Sequence, residues 1–265
     1  MRPYSFAFVV FVLSVAPVNG QTQPNPSMRA EQDHRKLASR QKGSLLNSQG
    51  VTEFEAGRNI EAVEFFKRAL EDRPEFAVAY NNLAAAYNVL GRYDEAVAAL
   101  RQAVRIKPDY AEAYCHLGVS YLKLHEYSKS VEAFQKAIHF KPDLIEARSN
   151  LGVAYTDWGK REEAVRAYLD AIRLRPDCAE AYNNLGFALF KSGEDKQAIK
   201  SFQRAVELKP DWALPQFNLG MVFLRIKERY AAIAQYRKLS LMSQTLASQL
   251  YMAIYGNKIL TVAPQ

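Results

Sequence analysis

The sequence predicts an all-α protein built as a helical solenoid. Prolines recur at intervals of 34 residues, at Pro74, Pro108, Pro142, Pro176 and Pro210, and a period of this size is typical of stacked helix-turn-helix units. Small residues recur in the same register, as expected where helices approach one another closely. Because such an array grows by stacking, we divide the 265 residues into repeats rather than conventional domains.

Residues 1–20 are predicted to be a secretory signal that is cleaved after Gly20. Arg2 supplies the positive charge, Phe6 to Ala16 supplies an apolar run, and Val18 and Gly20 are small residues before the cleavage point. An uncleaved membrane anchor is the alternative, but the run is shorter than the ~20 apolar residues that a spanning helix needs. We therefore expect an exported protein, periplasmic or extracellular, with no stable membrane span after cleavage.

Residues 21–42 are predicted to link the signal to the repeats. Gln21 to Ser27 is polar and contains two prolines, which bias the preceding residues away from helix. Met28 to Lys42 has a helix-forming composition but is almost wholly polar. This stretch is either a solvated lead-in helix or disordered.

Six repeats follow when the recurring proline is taken as position 32 of a unit. They occupy residues 43–76, 77–110, 111–144, 145–178, 179–212 and 213–246. Position 8 is always small: Gly50, Ala84, Gly118, Gly152, Gly186 and Gly220. Position 24 is large and apolar: Phe66, Leu100, Phe134, Tyr168, Phe202 and Tyr236. We expect each position-24 side chain to fill the space that the small residue leaves.

The turn inside each unit is predicted near position 15. Four units carry glycine there, which ends a helix in the left-handed region without a steric penalty: Gly57, Gly91, Gly159 and Gly193. His125 and Lys227 replace it in the third and sixth units, and we expect both turns to form at a cost in strain or with another geometry. Between units, a Lys/Arg-Pro-Asp run ends one helix, and its Asp is expected to cap the next.

Residues 247–265 are predicted to form a capping helix and a tail. Leu246, Leu250 and Ile254 fall on one helical face, and Gly256 offers a stop. We place the capping helix at Ala247 to Tyr255, where its apolar face would cover the last repeat.

These repeated residues resemble the tetratricopeptide repeat family, whose 34-residue helix-turn-helix has Leu-Gly, Tyr, Ala, Phe and Pro at set places. The resemblance covers residues 43–246 and is weakest in the end units, with Gln49 in place of Leu and Gln244 in place of Pro. It implies a right-handed superhelical solenoid whose first helices line a concave groove. Together with the signal, it implies a bacterial envelope protein.

The resemblance also places positions 2, 5, 6, 9, 12 and 13 in that groove. Position 6 is asparagine in four units, and these amides either grip an extended peptide or hold neighbouring repeats together. Towards the C-terminus the groove becomes apolar and aromatic with a basic rim, which favours a partner helix or peptide with an acidic edge unless the capping helix covers it. The predicted partner-binding residues are Asn82, Asn150, Asn184, Phe187, Phe190, Lys191, Phe217, Asn218, Met221 and Arg225.

The sequence offers little for catalysis, metal binding or nucleic acid. The net charge of +7 is dispersed, the four histidines lack metal-ligand spacing, and no phosphate-binding glycine motif appears. Cys115 and His116 are neighbours that point about 100° apart on a helix, a poor geometry for a nucleophile and its base. The repeat positions of Cys115 and Cys178 argue against a disulfide between them. We expect no cofactor and no catalytic residues.

The predicted function is a non-enzymatic scaffold that binds a peptide or partner segment in its groove. One alternative is an assembly module that joins copies of the chain, or the parts of an envelope complex, through its repeat ends or convex surface. A weaker alternative is the substrate-recruiting arm of an enzyme complex.

Overall fold

A computed structural model describes residues 26–259 of the chain. All secondary structure in this range is helical. The thirteen helices, α1 to α13 in order, are Pro26–Glu55, Asn59–Asp72, Ala77–Val89, Tyr93–Ile106, Ala111–Lys123, Tyr127–Phe140, Ile145–Asp157, Arg161–Leu174, Ala179–Ser192, Asp195–Leu208, Ala213–Arg225, Arg229–Leu239 and Gln244–Ile259. No helix in this part of the chain is long and apolar enough to cross a membrane.

The first twelve helices form consecutive hairpins, and each hairpin packs against the next. This confirms the all-α solenoid, and the helix bounds are consistent with six units. The lead-in stretch is helical and continuous with the first repeat helix in α1, and Lys36, Leu37 and Arg40 on it are exposed. The predicted signal and most of the linker lie outside the described residues.

Each hairpin from the first to the fifth is closed by a large side chain packed against a small one. A Cβ atom added at Gly118 would lie 2.6 Å from the Phe134 ring, and one at Gly186 would lie 2.8 Å from the Phe202 ring. In the second hairpin the two positions are Ala84 and Leu100, both fully buried in one hydrophobic cluster, so that a larger residue in α3 accompanies a smaller one in α4. The position-24 residues of these five hairpins are at most 2% exposed, which confirms the prediction for those units.

The sixth hairpin departs from this rule. The side chain nearest to Gly220 is Leu250 of α13, whose Cδ2 lies 2.5 Å from the place of an added Cβ. Tyr236, at position 24, is half-buried and packs against Tyr251 in a tilted arrangement, with 5.6 Å between ring centres. The prediction that Tyr236 fills this space was therefore wrong: α12 is three residues shorter than α10, and a leucine from outside the repeat occupies the site.

The turns inside the hairpins confirm the prediction for position 15. All four glycines there have positive φ, between 73° and 83°. His125 and Lys227 adopt the same region, with φ of 58° and 66°, so both turns keep the geometry of the glycine turns at a cost in backbone strain.

The junctions between hairpins differ from the prediction in one respect. Helices α5, α7, α9 and α11 begin after Tyr110, Leu144, Cys178 and Trp212, and no side chain caps them. Each predicted capping Asp precedes that residue by one position. Three of the four basic residues of these runs instead form ion pairs within their own units, as Lys141 Nζ does with Glu112 Oε1 at 2.8 Å and Lys209 Nζ with Glu180 Oε1 at 3.4 Å.

The capping helix exists but is longer than predicted. Helix α13 runs from Gln244 to Ile259, so Gly256 does not end it. Ala247, Leu250 and Ile254 are buried against Leu239 and Ala232 of α12. The apolar face of α13 thus covers the last hairpin, as expected, while residues 260–265 lie outside the described range.

Candidate binding groove

The predicted partner-binding residues all lie on first helices of the hairpins. Asn82 is on α3 and Asn150 on α7, and the remaining eight are on α9 and α11. At position 9 the side chains keep solvent exposure in every unit, and Phe187 is the most open of them at 39%. The accessible surface along the first helices is therefore apolar at this position.

The position-6 side chains link neighbouring units. Asn82 Nδ2 donates to Asn47 Oδ1 at 3.1 Å, and Asn218 Nδ2 donates to Asn183 Oδ1 at 2.9 Å. In each case the partner stands at position 5 of the preceding unit. His116 follows the same rule, with its Nδ1 2.9 Å from Asn81 Oδ1.

The other two asparagines are also engaged within the fold. Asn150 hydrogen-bonds the thiol of Cys115, and Asn184 Oδ1 accepts from Asn183 Nδ2 at 3.3 Å. The structural role of these amides is thus visible in the contacts. Each amide carries more donors and acceptors than one such bond uses, and all four asparagines remain half-buried. Their role in holding a ligand stays a prediction.

Cys115 and His116 are held in uncharged forms. Burial raises the pKa of the Cys115 thiol to about 11, against the opposing effect of its hydrogen bond with Asn150. Burial also lowers the pKa of His116, against the opposing charge of Glu112. Since the thiolate is the nucleophile of cysteine chemistry, this pair offers no activated thiol at neutral pH. Both cysteines are free, and residues 26–259 contain no group of three His, Cys, Asp or Glu side chains placed to hold a metal.

A cavity of about 300 Å³ opens between the fourth and fifth units. Two predicted residues, Phe187 and Lys191 of α9, form one wall, and Ala188 between them is buried. The Lys191 ammonium lies 5.3 Å from the centre of the Phe187 ring. The opposite wall comes from the end of α7 and the start of α8: Thr156, Asp157, Gly159 and Arg161.

The charges around this cavity are not matched within the described structure. No ion pair in the described residues joins Asp157, Arg161 or Lys191 to an opposite charge, whereas Arg173 pairs with Asp170 in α8 and Arg204 with Glu207 in α10. Two cations and one anion therefore surround an apolar floor. Thr156 and Asp157 stand at positions 12 and 13 of their unit, which the family resemblance places in the groove. Arg161 begins a second helix, and the resemblance places only positions of the first helices in the groove.

The other predicted residues divide into two groups. Arg225 lies over the Phe190 ring at 3.5 Å and forms an ion pair with Asp195, so these side chains close the groove at the α9–α11 boundary. Phe217 and Met221 are half-buried and pack against the cluster that α13 forms with α12. The capping helix therefore covers part of the predicted apolar surface, and the open part lies around Phe187 and Lys191.

Comparison with known proteins agrees with the geometry. Three tetratricopeptide repeat family models together match residues 65–144 and 154–211, just over half of the chain. The chain belongs to the tetratricopeptide repeat family. No curated protein sequence matches it significantly.

Solved structures of this repeat family share the fold. The crystal structure of MamA is similar over 61% of this chain and 94% of its own, with 27% identity and a TM-score of 0.56. PilW, described as a type IV pilus biogenesis factor, matches 78% of this chain and 98% of its own at 20% identity and a TM-score of 0.73. YrrB, described as having an unusual peptide-binding site, matches 70% and 97% at 22% identity and a TM-score of 0.56. At these identities PilW and YrrB establish the architecture alone.

Proposed function

We propose that this tetratricopeptide repeat protein is a non-enzymatic scaffold that binds a segment of a partner protein along its first helices. The observation that carries the proposal is the cavity between the fourth and fifth units, where an exposed aromatic ring and unmatched charges meet. YrrB shows that a chain of this architecture accommodates a peptide-binding site. The neutral Cys115 and His116 and the absence of a metal-binding group in residues 26–259 supply no competing chemistry.

The chemistry of the cavity indicates which segment it prefers. Phe187 and Ala188 offer an apolar surface, which favours an aliphatic or aromatic side chain. Lys191 and Arg161 outnumber Asp157, so a carboxylate next to that side chain gains two cationic partners. The preferred ligand is therefore a peptide in which an apolar residue lies beside Asp or Glu.

A random peptide library tests this preference. The mature chain is expected to enrich peptides with an apolar residue beside an acidic one, and raised salt is expected to weaken their binding. Phe187→Ala and Lys191→Glu should each weaken an enriched peptide by about ten-fold or more, or about 1.4 kcal/mol.

Lys200→Glu makes the same charge change on the exposed face of α10 and serves as the matched control. Enrichment without an acidic residue, or equal losses for Lys191→Glu and Lys200→Glu, would refute the proposed site. Asn184→Ala is a further variant, and its melting temperature must be compared first because Asn184 also contacts Asn183.

The second candidate function, assembly through a repeat end, is favoured by the surface of the last two helices and the turn between them. Tyr230 and Leu241 are each 90% exposed and Met252 is 58% exposed, although all three are apolar or aromatic. Light scattering over a concentration series should show self-association that Leu241→Asp abolishes. A strict monomer at every concentration would remove this candidate.

We also propose that the chain is exported to the periplasm or outside the cell. Support comes from Arg2, the apolar run Phe6 to Ala16 and the small residues before position 21. Mass spectrometry of the mature protein should find an N-terminus at Gln21. A mature chain that still contains the apolar run would contradict cleavage.

A further inference from the structure

A second cleft lies between the second and third hairpins. It has a volume of about 270 Å³ and is lined by α4, α5 and α6. Tyr114, Leu117 and Ala133 supply its apolar surface, and the last two are buried. Its polar lining consists of Arg101, Tyr121, Lys129, Glu132 and Lys136. None of these residues stands at a groove position, so the cleft is separate from the peptide site proposed above.

Arg101 holds the hydroxyl group of Tyr121 at the α4 side of this cleft. Its Nη2 and Nε donate to Tyr121 Oη at 3.0 and 3.3 Å. A guanidinium group only donates hydrogen bonds, so the phenol oxygen accepts both and keeps its own O–H for a further acceptor. Tyr121 is 7% exposed, and packing therefore fixes this donor before a ligand arrives. The partner that suits it is a hydrogen-bond acceptor.

The charges around the cleft leave one cation over. Lys129 pairs with Glu126, and Lys136 Nζ pairs with Glu132 Oε1 at 2.8 Å. Arg101 forms no ion pair with any residue in the range 26–259. Two carboxylates thus stand against three cations, and one monovalent anion completes the charge balance.

The ammonium groups lie beside the rings that line the cleft. Lys129 Nζ is 5.6 Å from the centre of the Tyr121 ring, and Lys136 Nζ is 5.8 Å from the centre of the Tyr114 ring. The positive charges therefore surround an aromatic surface. A flat apolar group that rests on this surface places an attached anion among the cations.

The equivalent clefts between other units lack this combination. Glu95 stands at the place of Lys129 in the cleft before it, and Glu163 stands there in the cleft after it. The two clefts that follow lack the tyrosine at position 11, which is replaced by Leu189 and Phe223. The tyrosine hydroxyl and the cations therefore coincide only between the second and third units.

We propose that the cleft between α4, α5 and α6 binds a carboxylate attached to an aromatic ring. The Tyr121 O–H and a remaining N–H of Arg101 donate to the carboxylate, and the ring rests on Tyr114 and Leu117. The ligand is either a small aromatic acid or the free C-terminus of a partner chain that ends in an aromatic residue. Because the site shares no residue with the groove, its test is independent of the proposed function.

Phenylacetate is the first probe, because it joins one ring to one carboxylate. In NMR titrations of the full mature chain, it should shift the Arg101 Nε–H signal and the Tyr121 backbone amide signal in a saturable way. Phenylacetamide keeps the ring and the carbonyl group but has no charge, and we expect its binding to be at least about ten-fold weaker. Raised salt should weaken the binding of phenylacetate.

Two variants test the proposed donors. Tyr121→Phe removes the hydroxyl but keeps the ring, and Arg101→Gln removes the unpaired charge; each should weaken phenylacetate binding by about ten-fold. Tyr155→Phe makes the same change at the equivalent position of the fourth unit, where the hydroxyl accepts from Gln135, and should leave binding unchanged. Lys67→Gln is the control for Arg101→Gln, because Lys67 stands at the equivalent position of the first unit. If Tyr121→Phe lowers the melting temperature, Arg101→Gln on the exposed surface decides.

N-acetylglycylphenylalanine distinguishes the two sources, because it ends in the same ring and carboxylate. Tighter binding than that of phenylacetate assigns the site to a chain end, and weaker binding assigns it to a small acid. Three results would each overturn the proposal. These are the lack of a saturable shift with either acid, equal binding of phenylacetate and phenylacetamide, and equal losses in Tyr121→Phe and Tyr155→Phe.

Discussion

The fifth and sixth hairpins carry almost the same repeat pattern but close their interiors differently. In the fifth, Phe202 from the second helix packs against Gly186 of the first. In the sixth, the equivalent Tyr236 packs against Tyr251 of α13, and Leu250 packs against Gly220. An interior unit is thus complete within its own 34-residue period, whereas the last one needs an element from beyond it.

The largest effect is expected from removing the closing side chains. Leu250→Ala and Phe202→Ala should each lower the free energy of unfolding by about 2–5 kcal/mol, because both leave a cavity at a fully buried site. Amide hydrogen exchange distinguishes the two variants. Leu250→Ala should speed exchange in α11 and α13, and Phe202→Ala should speed exchange in the hairpins at the centre of the array. Met252→Ala on the exposed face of α13 is the control, with a change of about 0.5 kcal/mol or less.

A smaller effect is expected from adding a methyl group at the glycine. Gly186→Ala should cost about 1–3 kcal/mol, since its Cβ would overlap the Phe202 ring. Combining it with Phe202→Leu reproduces the natural Ala84–Leu100 pair and should recover part of that loss in a double-mutant cycle measured by denaturant unfolding. Gly220→Ala should cost less, because Leu250 and α13 can shift at the end of the array. If the effects of Gly186→Ala and Phe202→Leu on the free energy of unfolding are additive, the packing of position 186 against position 202 is contradicted.

The turns provide the next comparison. Lys227→Gly and His125→Gly should raise the free energy of unfolding by about 0.5–1 kcal/mol. Glycine adopts a positive φ without the steric strain of a side chain, and this gain exceeds the additional conformational entropy that glycine gives the unfolded chain. Gly193→Ala, with φ of 83°, should lower it by about 1–2 kcal/mol. Thermal unfolding at fixed pH gives the ranking, and a loss of stability in Lys227→Gly would show that its turn is not strained.

The smallest effect concerns position 6 of the third unit. The pKa of His116 is lowered in the folded chain from its ordinary value of 6.5, so below about pH 6.5 the unfolded chain binds a proton that the folded chain does not. Stability should therefore fall as the pH drops through 6.5. His116→Asn, which installs the residue found at this position in four other units, should flatten the dependence between pH 5 and 7.5, and His34→Asn on the exposed α1 is the control.

The sequence predicted most of the interior architecture because each unit repeats it. Positive φ at Gly193 and the packing of Phe134 against Gly118 follow from position in the period alone. At His125 the period predicted a turn but left its geometry open, and the structure shows a positive φ. The sequence did not predict that Leu250 takes the place of Tyr236. The repeat pattern aligns Tyr236 with the other rings, and Leu250 lies outside the repeat.

Other differences have local causes. Gly256 remains helical because nothing in the last turns of α13 requires a left-handed residue there, and a glycine permits a helix end without imposing one. The Asp residues of the inter-unit runs stand one position too early to cap. In the candidate site, Phe187 and Lys191 were predictable from groove positions, but Arg161 became visible only when the α7–α8 turn placed it opposite them.

Each of the first five hairpins contains its own matched small and large residue, which are Ala84 and Leu100 in the second hairpin and a glycine and an aromatic ring in the others. A whole hairpin is therefore the smallest part of this chain that can be exchanged. A whole hairpin moved along the array carries both halves of its pair with it. A recombination that joined α3 to α6 would instead set the Ala84 methyl against the Phe134 ring, in the place where Gly118 leaves only 2.6 Å for a Cβ. Lengthening or shortening such an array by gene duplication is therefore tolerated at crossover points between hairpins and penalised at points within them.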